Sequence, residues 1–395
     1  MTNFVLSAGP EPTGQSPFAA RQALRYSKLF YFFFFSAMGA FAPYFNIVLA
    51  ARGLTGVEIG WLGSIPPLVS LAAGPFWGGV ADRWQVHSRV LAGCALASGL
   101  LSLFFLRTMA LPALLLLVIT FFFFRTPIAA ILDGATMEIA TLAHSTYSRQ
   151  RLWGSIGFIV ATFLFGRLIS GGSLNSIFWA NSLLLGVLCT LLSLRLPAGR
   201  SMERVNLLSG LRELLARRTY RTFLVALIFL GIGMAGLMNF LGLHILAMGG
   251  SERQVGMAFA LNSMAEIPIM FFGISWFTRF GNALLMRLGA VGFAVTWLLV
   301  AVAQTPGQII GTTFLIGIFF GSFWVAAVGF ADEHSPRSLR STGQAIMNAA
   351  LFGLGWSMGA MLGGILWQHT NGHILFLCMS ACGVIAAAIL FFGKR

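Results

Sequence analysis

Four charged side chains stand inside otherwise apolar stretches of this chain: Arg125, Asp133, Arg151 and Glu266. A charge at the centre of a hydrocarbon layer is unfavourable by about 3 kcal/mol or more, so residues kept there are candidates for function. Asp133 and Arg151 are 18 positions apart, and a hairpin turning near Leu142 would put each nine residues from the turn. At 1.5 Å per residue both then lie about 13 Å deep. The spacing predicts an ion pair across the hairpin, lining a central cavity. An arginine–carboxylate pair makes two buried charges tolerable and leaves donors and acceptors for a polar ligand. A purely structural ion pair is the alternative reading.

Arg125 precedes Asp133 by eight residues, about 80° round the same helix, which allows it to face the same cavity. Asp133 cannot neutralise two arginines, and the surplus positive charge favours a carboxylate or another anion. The alternative for Arg125 is a headgroup or a helix carbonyl. Glu266 lies about 20 Å along its own stretch, near the midplane, with Asn262 one turn earlier and Pro268 beside it. Desolvation disfavours the charged form of a lone carboxyl, so Glu266 is a candidate proton carrier. A protonated carboxyl that only holds helices together is the alternative. The expected substrate contacts are therefore Arg125, Asp133, Arg151 and Asn262, with Glu266 and Asp133 as proton-coupling groups.

The elements that must position these residues follow from composition. The 395 residues are 57% hydrophobic with 46 glycines, and only 9% are charged. That is far below the roughly one-quarter charge of a soluble domain, so the solvent for most of the surface is lipid. Runs long enough to cross about 30 Å of hydrocarbon recur at Ser27–Ala50, Val57–Val80, Val90–Leu106, Leu111–Ile139, Leu152–Ile169 and Ser176–Leu196. A second set covers Arg221–Ala247, Gln254–Phe277, Leu284–Ala303, Gly307–Phe330, Ser341–Trp367 and His373–Phe392. The fold class is all-α: a polytopic membrane protein of twelve transmembrane helices in two six-helix bundles, residues 1–196 and 221–395. A polar linker at 197–220 joins them, and its leucines at helical spacing predict a short amphipathic helix on the membrane face.

The net charge of +14 is read as the positive-inside signal rather than as a nucleic-acid footprint. Alternating the loops puts only Arg52, Arg107 and Arg253 on the side opposite the termini, so both termini are expected in the cytoplasm. Met1–Ala20 holds no apolar core with a small-residue cleavage site, and the first span is expected to direct insertion. Neither lysine closes a phosphate-binding loop, and the six histidines show no metal-ligand spacing. No enzyme, cofactor or metal is expected, and the four cysteines sit in apolar runs where packing explains them. The halves also read as copies: Gly53 to Gly60 can be laid on Gly249 to Gly256, and the same shift carries Arg83 onto Arg279.

Gly78-Gly79-Val80-Ala81-Asp82-Arg83, continuing to Arg89, resembles the G-x-x-x-D-[RK] loop of the major facilitator superfamily, with Gln85 where that loop usually has glycine. The resemblance implies a cytoplasmic gating role for Asp82 and Arg83. More narrowly, Tyr147 to Ser155 with the acidic residue 18 positions before Arg151, Ala265-Glu266-Ile267-Pro268, and Arg340 to Gln344 resemble the branch containing lactose permease and the phenylpropionate permeases. In that branch the tryptophan that stacks on a sugar ring falls on Phe158, which joins the expected substrate contacts. Span ten holds no His or Glu, where lactose permease has proton-handling residues, so Glu266 and Asp133 are left as the proton sites.

The resulting expectation is a monomeric, proton-coupled symporter of the cell inner membrane that works by alternating access. A small carboxylate-bearing solute is narrowly favoured over a sugar or nucleoside. An exporter of drugs or metabolites, and a non-transporting scaffold or sensor, are the competing readings.

Overall fold

The structure, a computed structural model, describes residues 17–196, 207–272, 280–336 and 339–393, and every regular element among them is helical. The first half contains α1 (Pro17–Ala51), α2 (Gly56–Trp84), α3 (His87–Phe104), α4 (Leu111–Arg125), α5 (Pro127–Leu142) and α6 (Tyr147–Ser170). α7 (Ser176–Asn181) then runs through a π-helical stretch (Ser182–Cys189) into α8 (Thr190–Ser193). After α9 (Leu207–Ala216) come α10 (Arg218–Ala247), α11 (Glu252–Phe272), α12 (Asn282–Val302) and α13 (Pro306–His334). α14 (Arg340–Asn348) continues through a second π-helical stretch (Ala349–Gly355) into α15 (Trp356–His369), and α16 (Gly372–Phe392) ends the fold.

Eleven helical stretches among the described residues are long and apolar enough to cross a membrane. The remaining expected span is α11, whose course beyond Phe272 lies outside the described residues. The chain is a multi-pass α-helical membrane protein. The expected linker falls partly outside the described residues, and within it α9 supplies the anticipated short helix, with Leu214 buried against its neighbours. Arg279, the expected mate of Arg83 in the repeat, also lies outside them.

Local chemistry sets the boundaries. Thr55 with Glu58 and Thr305 with Gln308 form reciprocal capping boxes at the starts of α2 and α13, satisfying backbone donors that have no partner within the helix. The stretch expected as one span from Leu111 to Ile139 is divided at Pro127, which has no N–H to give. Thr126 keeps helical torsions (φ −61°, ψ −43°), so α5 continues nearly in line from α4. The turn expected near Leu142 falls between Leu142 and Tyr147, with His144 in the left-handed region at φ 50°.

The internal repeat has a structural counterpart. Gly53 and Gly249 end α1 and α10 with nearly the same positive torsion, φ 86° and 82°, a conformation glycine adopts without a Cβ clash. A Cβ at Gly60 would come within 2.6 Å of the Ala360 carbonyl oxygen, and one at the equivalent Gly256 within 2.6 Å of the Thr162 carbonyl oxygen. So α2 lies directly on α15, and α11 directly on α6, at matching points. Both contacts join the halves at the end of the spans remote from the termini. Asn46 Nδ2 donates to the Asn239 carbonyl at 2.9 Å, and the Val57 N–H to Gln368 Oε1 at 3.0 Å, in the same region. The two halves meet closely there, and the central site lies on the terminus side of this closure.

Candidate functional site

α1, α5 and α6 bring the first-half residues together. Ser27 and Tyr31, one turn apart on α1, face Thr136 and Asp133 on the antiparallel α5. The Ser27 and Thr136 hydroxyls are 2.7 Å apart, and the Tyr31 hydroxyl donates to Asp133 Oδ1 at 2.5 Å. A hydrogen bond to a carboxylate is worth about 1.5–3 kcal/mol, which offsets part of the desolvation of the acid. The Tyr147 hydroxyl, at the start of α6, also acts on Asp133.

Arg151 stands one turn into α6. Its guanidinium carbon lies 3.9 Å from the ring centroid of Phe35 and 5.9 Å from that of Tyr31. Those two rings stack at 6.4 Å, giving an aromatic platform for the cation, an arrangement worth about 2 kcal/mol when desolvated. Gly154 makes the approach possible, since a Cβ there would come within 2.7 Å of the Phe35 ring and 2.9 Å of Arg151 Nη1.

The direct ion pair expected between Asp133 and Arg151 is not formed. Asp133 is engaged by tyrosine hydroxyls and Arg151 by the Phe35 face, although the two charges remain within electrostatic reach. The same guanidinium also acts on Glu266 of α11, in the other half. Their depths fit, because α6 and α11 run antiparallel from the Gly166–Gly256 contact. Ten residues place Glu266 about 15 Å below it and fifteen place Arg151 about 22 Å below it, a difference that one extended arginine side chain covers. Arg151 thus lies within electrostatic reach of Asp133 in the first half and of Glu266 in the second, without a direct ion pair to either.

Arg125 is not part of this group. It is only 7% exposed, its Nη1 donates to Asn181 Oδ1 at 2.8 Å, and its guanidinium sits 5.5–5.8 Å from the rings of Phe34, Phe41 and Phe121. The expectation that it faces the cavity beside Asp133 is corrected: the roughly 80° between them on a nearly continuous helix turns Arg125 into the first bundle, where Asn181 and the three rings take up its charge. Asn262 lies one turn from Glu266, but its Nδ2 donates to the Thr313 carbonyl at 3.3 Å, tying α11 to α13. Phe158 is half-buried, two turns beyond Arg151 on the same face of α6. At the expected gate, Asp82 pairs with His87 Nε2 at 2.9 Å, and Arg83 lies over the Trp84 ring at 5.9 Å.

The sequence profile of the MFS_1 like family matches residues 24–378. The chain belongs to this family of major facilitator transporters. It is 29% identical to the maltose permease of Geobacillus stearothermophilus over 92% of both chains. It is also 26% identical to a probable 3-phenylpropionic acid transporter of Escherichia coli, over 91% of this chain and 95% of that one. The crystal structure of the nucleoside transporter NupG superposes with a TM-score of 0.83 at 18% identity, covering 94% of this chain and 99% of that one. In this major facilitator transporter the loop that ends α2 turns through the left-handed region. Gln85, at the position usually held by glycine, adopts φ 51°, ψ 42°, and its Nε2 donates to the Asp82 carbonyl at 2.7 Å.

Sequence reasoning does not single out Tyr31, Phe35 or Asn181. Tyr31 precedes and Phe35 ends the tract Phe32–Phe35, which covers every side of its helix, so periodicity gives them no distinction. The legible signal is polarity: Tyr31 is the first hydroxyl one turn after Ser27, and Asn181 is the lone amide in the sixth span.

Proposed function

We propose that this transporter is a proton-coupled symporter of a small, neutral, hydroxyl-rich solute, a sugar or a nucleoside. The observation that supports the reading is the placement of Arg151 on the Phe35 ring face, within electrostatic reach of Asp133 in its own half and of Glu266 across the interface. One cation between two acids supplies planar donors flanked by strong acceptors, which suits vicinal hydroxyl groups. The charge balance also moves the preference away from a carboxylate, because the surplus positive charge expected from Arg125 is taken up by Asn181 and three aromatic rings. The maltose specificity named for one relative agrees with this reading.

In this mechanism Asp133 and Arg151 hold the solute, Phe158 and Phe35 offer ring faces to it, and Glu266 carries the proton. Protonated Glu266 releases Arg151 to bind solute, and deprotonated Glu266 takes Arg151 back when the solute leaves. Asp82 and Arg83 act at the cytoplasmic mouth. Both termini face the cytoplasm, the membrane is the cell inner membrane, and a monomer suffices. Asn262 tunes the position of α11 and so of Glu266.

A second reading, symport of an aryl carboxylate, draws support from the 3-phenylpropionic acid transporter relative. Proteoliposomes with an imposed inward pH gradient separate them. Accumulation of labelled maltose or uridine, with none of 3-phenylpropionate, is the expected result. Accumulation of the acid alone contradicts the neutral-solute reading, and efflux down the gradient contradicts symport. Reporter fusions at Gly171 and at the C-terminus should lie on opposite sides of the membrane.

A further inference from the structure

A shallow, half-open cleft lies between the terminus-side ends of α10, α12, α13 and α16, away from the Arg151 site. Its walls are apolar: Phe223, Met286, Phe330, Ile389 and Leu390, with the Phe223 and Phe330 rings 4.9 Å apart. Arg287 lies among them. It sits on α12 between Leu284 and Leu288, with Val291 and Val295 following at helical spacing, and all four are exposed. That stripe faces lipid, so the cleft opens to the bilayer rather than to the transport path.

Arg287 is only five residues inside α12, about 8 Å from its start, which places the guanidinium at headgroup depth. Its Nε donates to the Leu390 carbonyl at 2.9 Å, and the Phe391 ring lies 5.3 Å away. These contacts fix the side chain, and among the described residues its two terminal nitrogens have no hydrogen-bond partner. Arg218 and Arg221 add exposed positive charge on α10 beside Thr219 and Thr222, which line the cleft. Among the described residues the acids of the second half at this end are engaged: Glu213 with Arg217 at 3.6 Å, Asp332 with Arg340 at 3.3 Å, and Glu333 with the Asn282 amide at 2.6 Å. The first turns of α10 and α12 lack side-chain caps and add to the positive potential without defining the site.

We propose that this cleft binds one anionic phospholipid, its phosphate on the free edge of Arg287 and within the field of Arg218 and Arg221, and an acyl chain along the apolar wall. An arginine fork matches a phosphate, and a basic pocket between helices at this depth suits a headgroup. A free phosphate shares the headgroup chemistry, but the greasy wall and the opening to lipid commit the cleft to the lipid.

Detergent-purified full-length protein is titrated with dioleoyl phosphatidylglycerol, with dioleoyl phosphatidylcholine and with inorganic phosphate. Melting temperature and lipid retained in native mass spectra are read for each. The expected result is a saturable rise and one retained molecule for phosphatidylglycerol, with neither for phosphatidylcholine or phosphate. Arg287→Gln should weaken retention about tenfold and Arg287→Lys should weaken it less, because the charge survives while the fork is lost. Equal retention of phosphatidylcholine, unchanged retention by Arg287→Gln, or an equal response to phosphate alone overturns the proposal. Should Arg287→Gln not fold, the exposed Arg218→Gln/Arg221→Gln double variant decides. Loss of several-fold in retention supports the site, and no loss overturns it.

Discussion

Arg151 and Arg125 are the same residue type in the same bundle, yet their surroundings give them different work. Arg151 rests on a ring face with its donors available, whereas Arg125 is enclosed by rings and capped by Asn181. Arg151→Lys keeps the charge but loses the planar fork and the stacking. Substrate affinity measured by competitive binding should therefore fall at least tenfold, and wild-type affinity would remove the fork from recognition. Arg125→Met replaces a buried cation with an apolar chain of similar length, a change that often leaves stability unaltered or raises it. Affinity in that variant should stay within about twofold of wild type, and a large loss would return Arg125 to the binding site.

At the scale of elements, the packing of α2 on α15 and of α11 on α6 depends on Gly60 and Gly256, where a side chain would strike opposing backbone. Gly60→Leu with Gly256→Leu should hold the halves apart at the end remote from the termini. In a cysteine-substituted background, spin labels at Met109 and Gln304 should report a longer mean distance than in the parent, and an unchanged distribution would refute the closure. Element identity is legible in the sequence because lipid leaves so few ways to satisfy a backbone: apolar runs of about 20 residues can only be helices. The Leu142 turn and the Gly53/Gly249 repeat are legible for local reasons, namely chain length and backbone torsion. An offset of roughly 80° between Arg125 and Asp133 on one helix is compatible with two different neighbours, and the spacing carries no information on Asn181 of the sixth span, which is why Arg125 is expected in the cavity. The separation of Asp133 from Arg151 is not legible in the same way. Spacing along a hairpin fixes depth, but it carries no information on the third helix, and α1 supplies the tyrosine and phenylalanine that keep the two charges apart.

For the whole molecule, one guanidinium, that of Arg151, lies within electrostatic reach of acids in both halves, Asp133 in its own and Glu266 across the interface. The family and the twelve-span plan follow from sequence, but the nearness of one arginine to acids of both halves depends on how α6 and α11 cross, which only the assembled fold defines. The most direct test is Glu266→Gln in proteoliposomes, assayed in parallel for solute exchange across the membrane and for accumulation driven by a pH gradient. A permanently neutral side chain mimics the protonated carrier, so exchange should persist while accumulation is lost, a pairing that misfolding cannot produce. Accumulation at the wild-type level in that variant would contradict proton carriage by Glu266 and the coupling built on it.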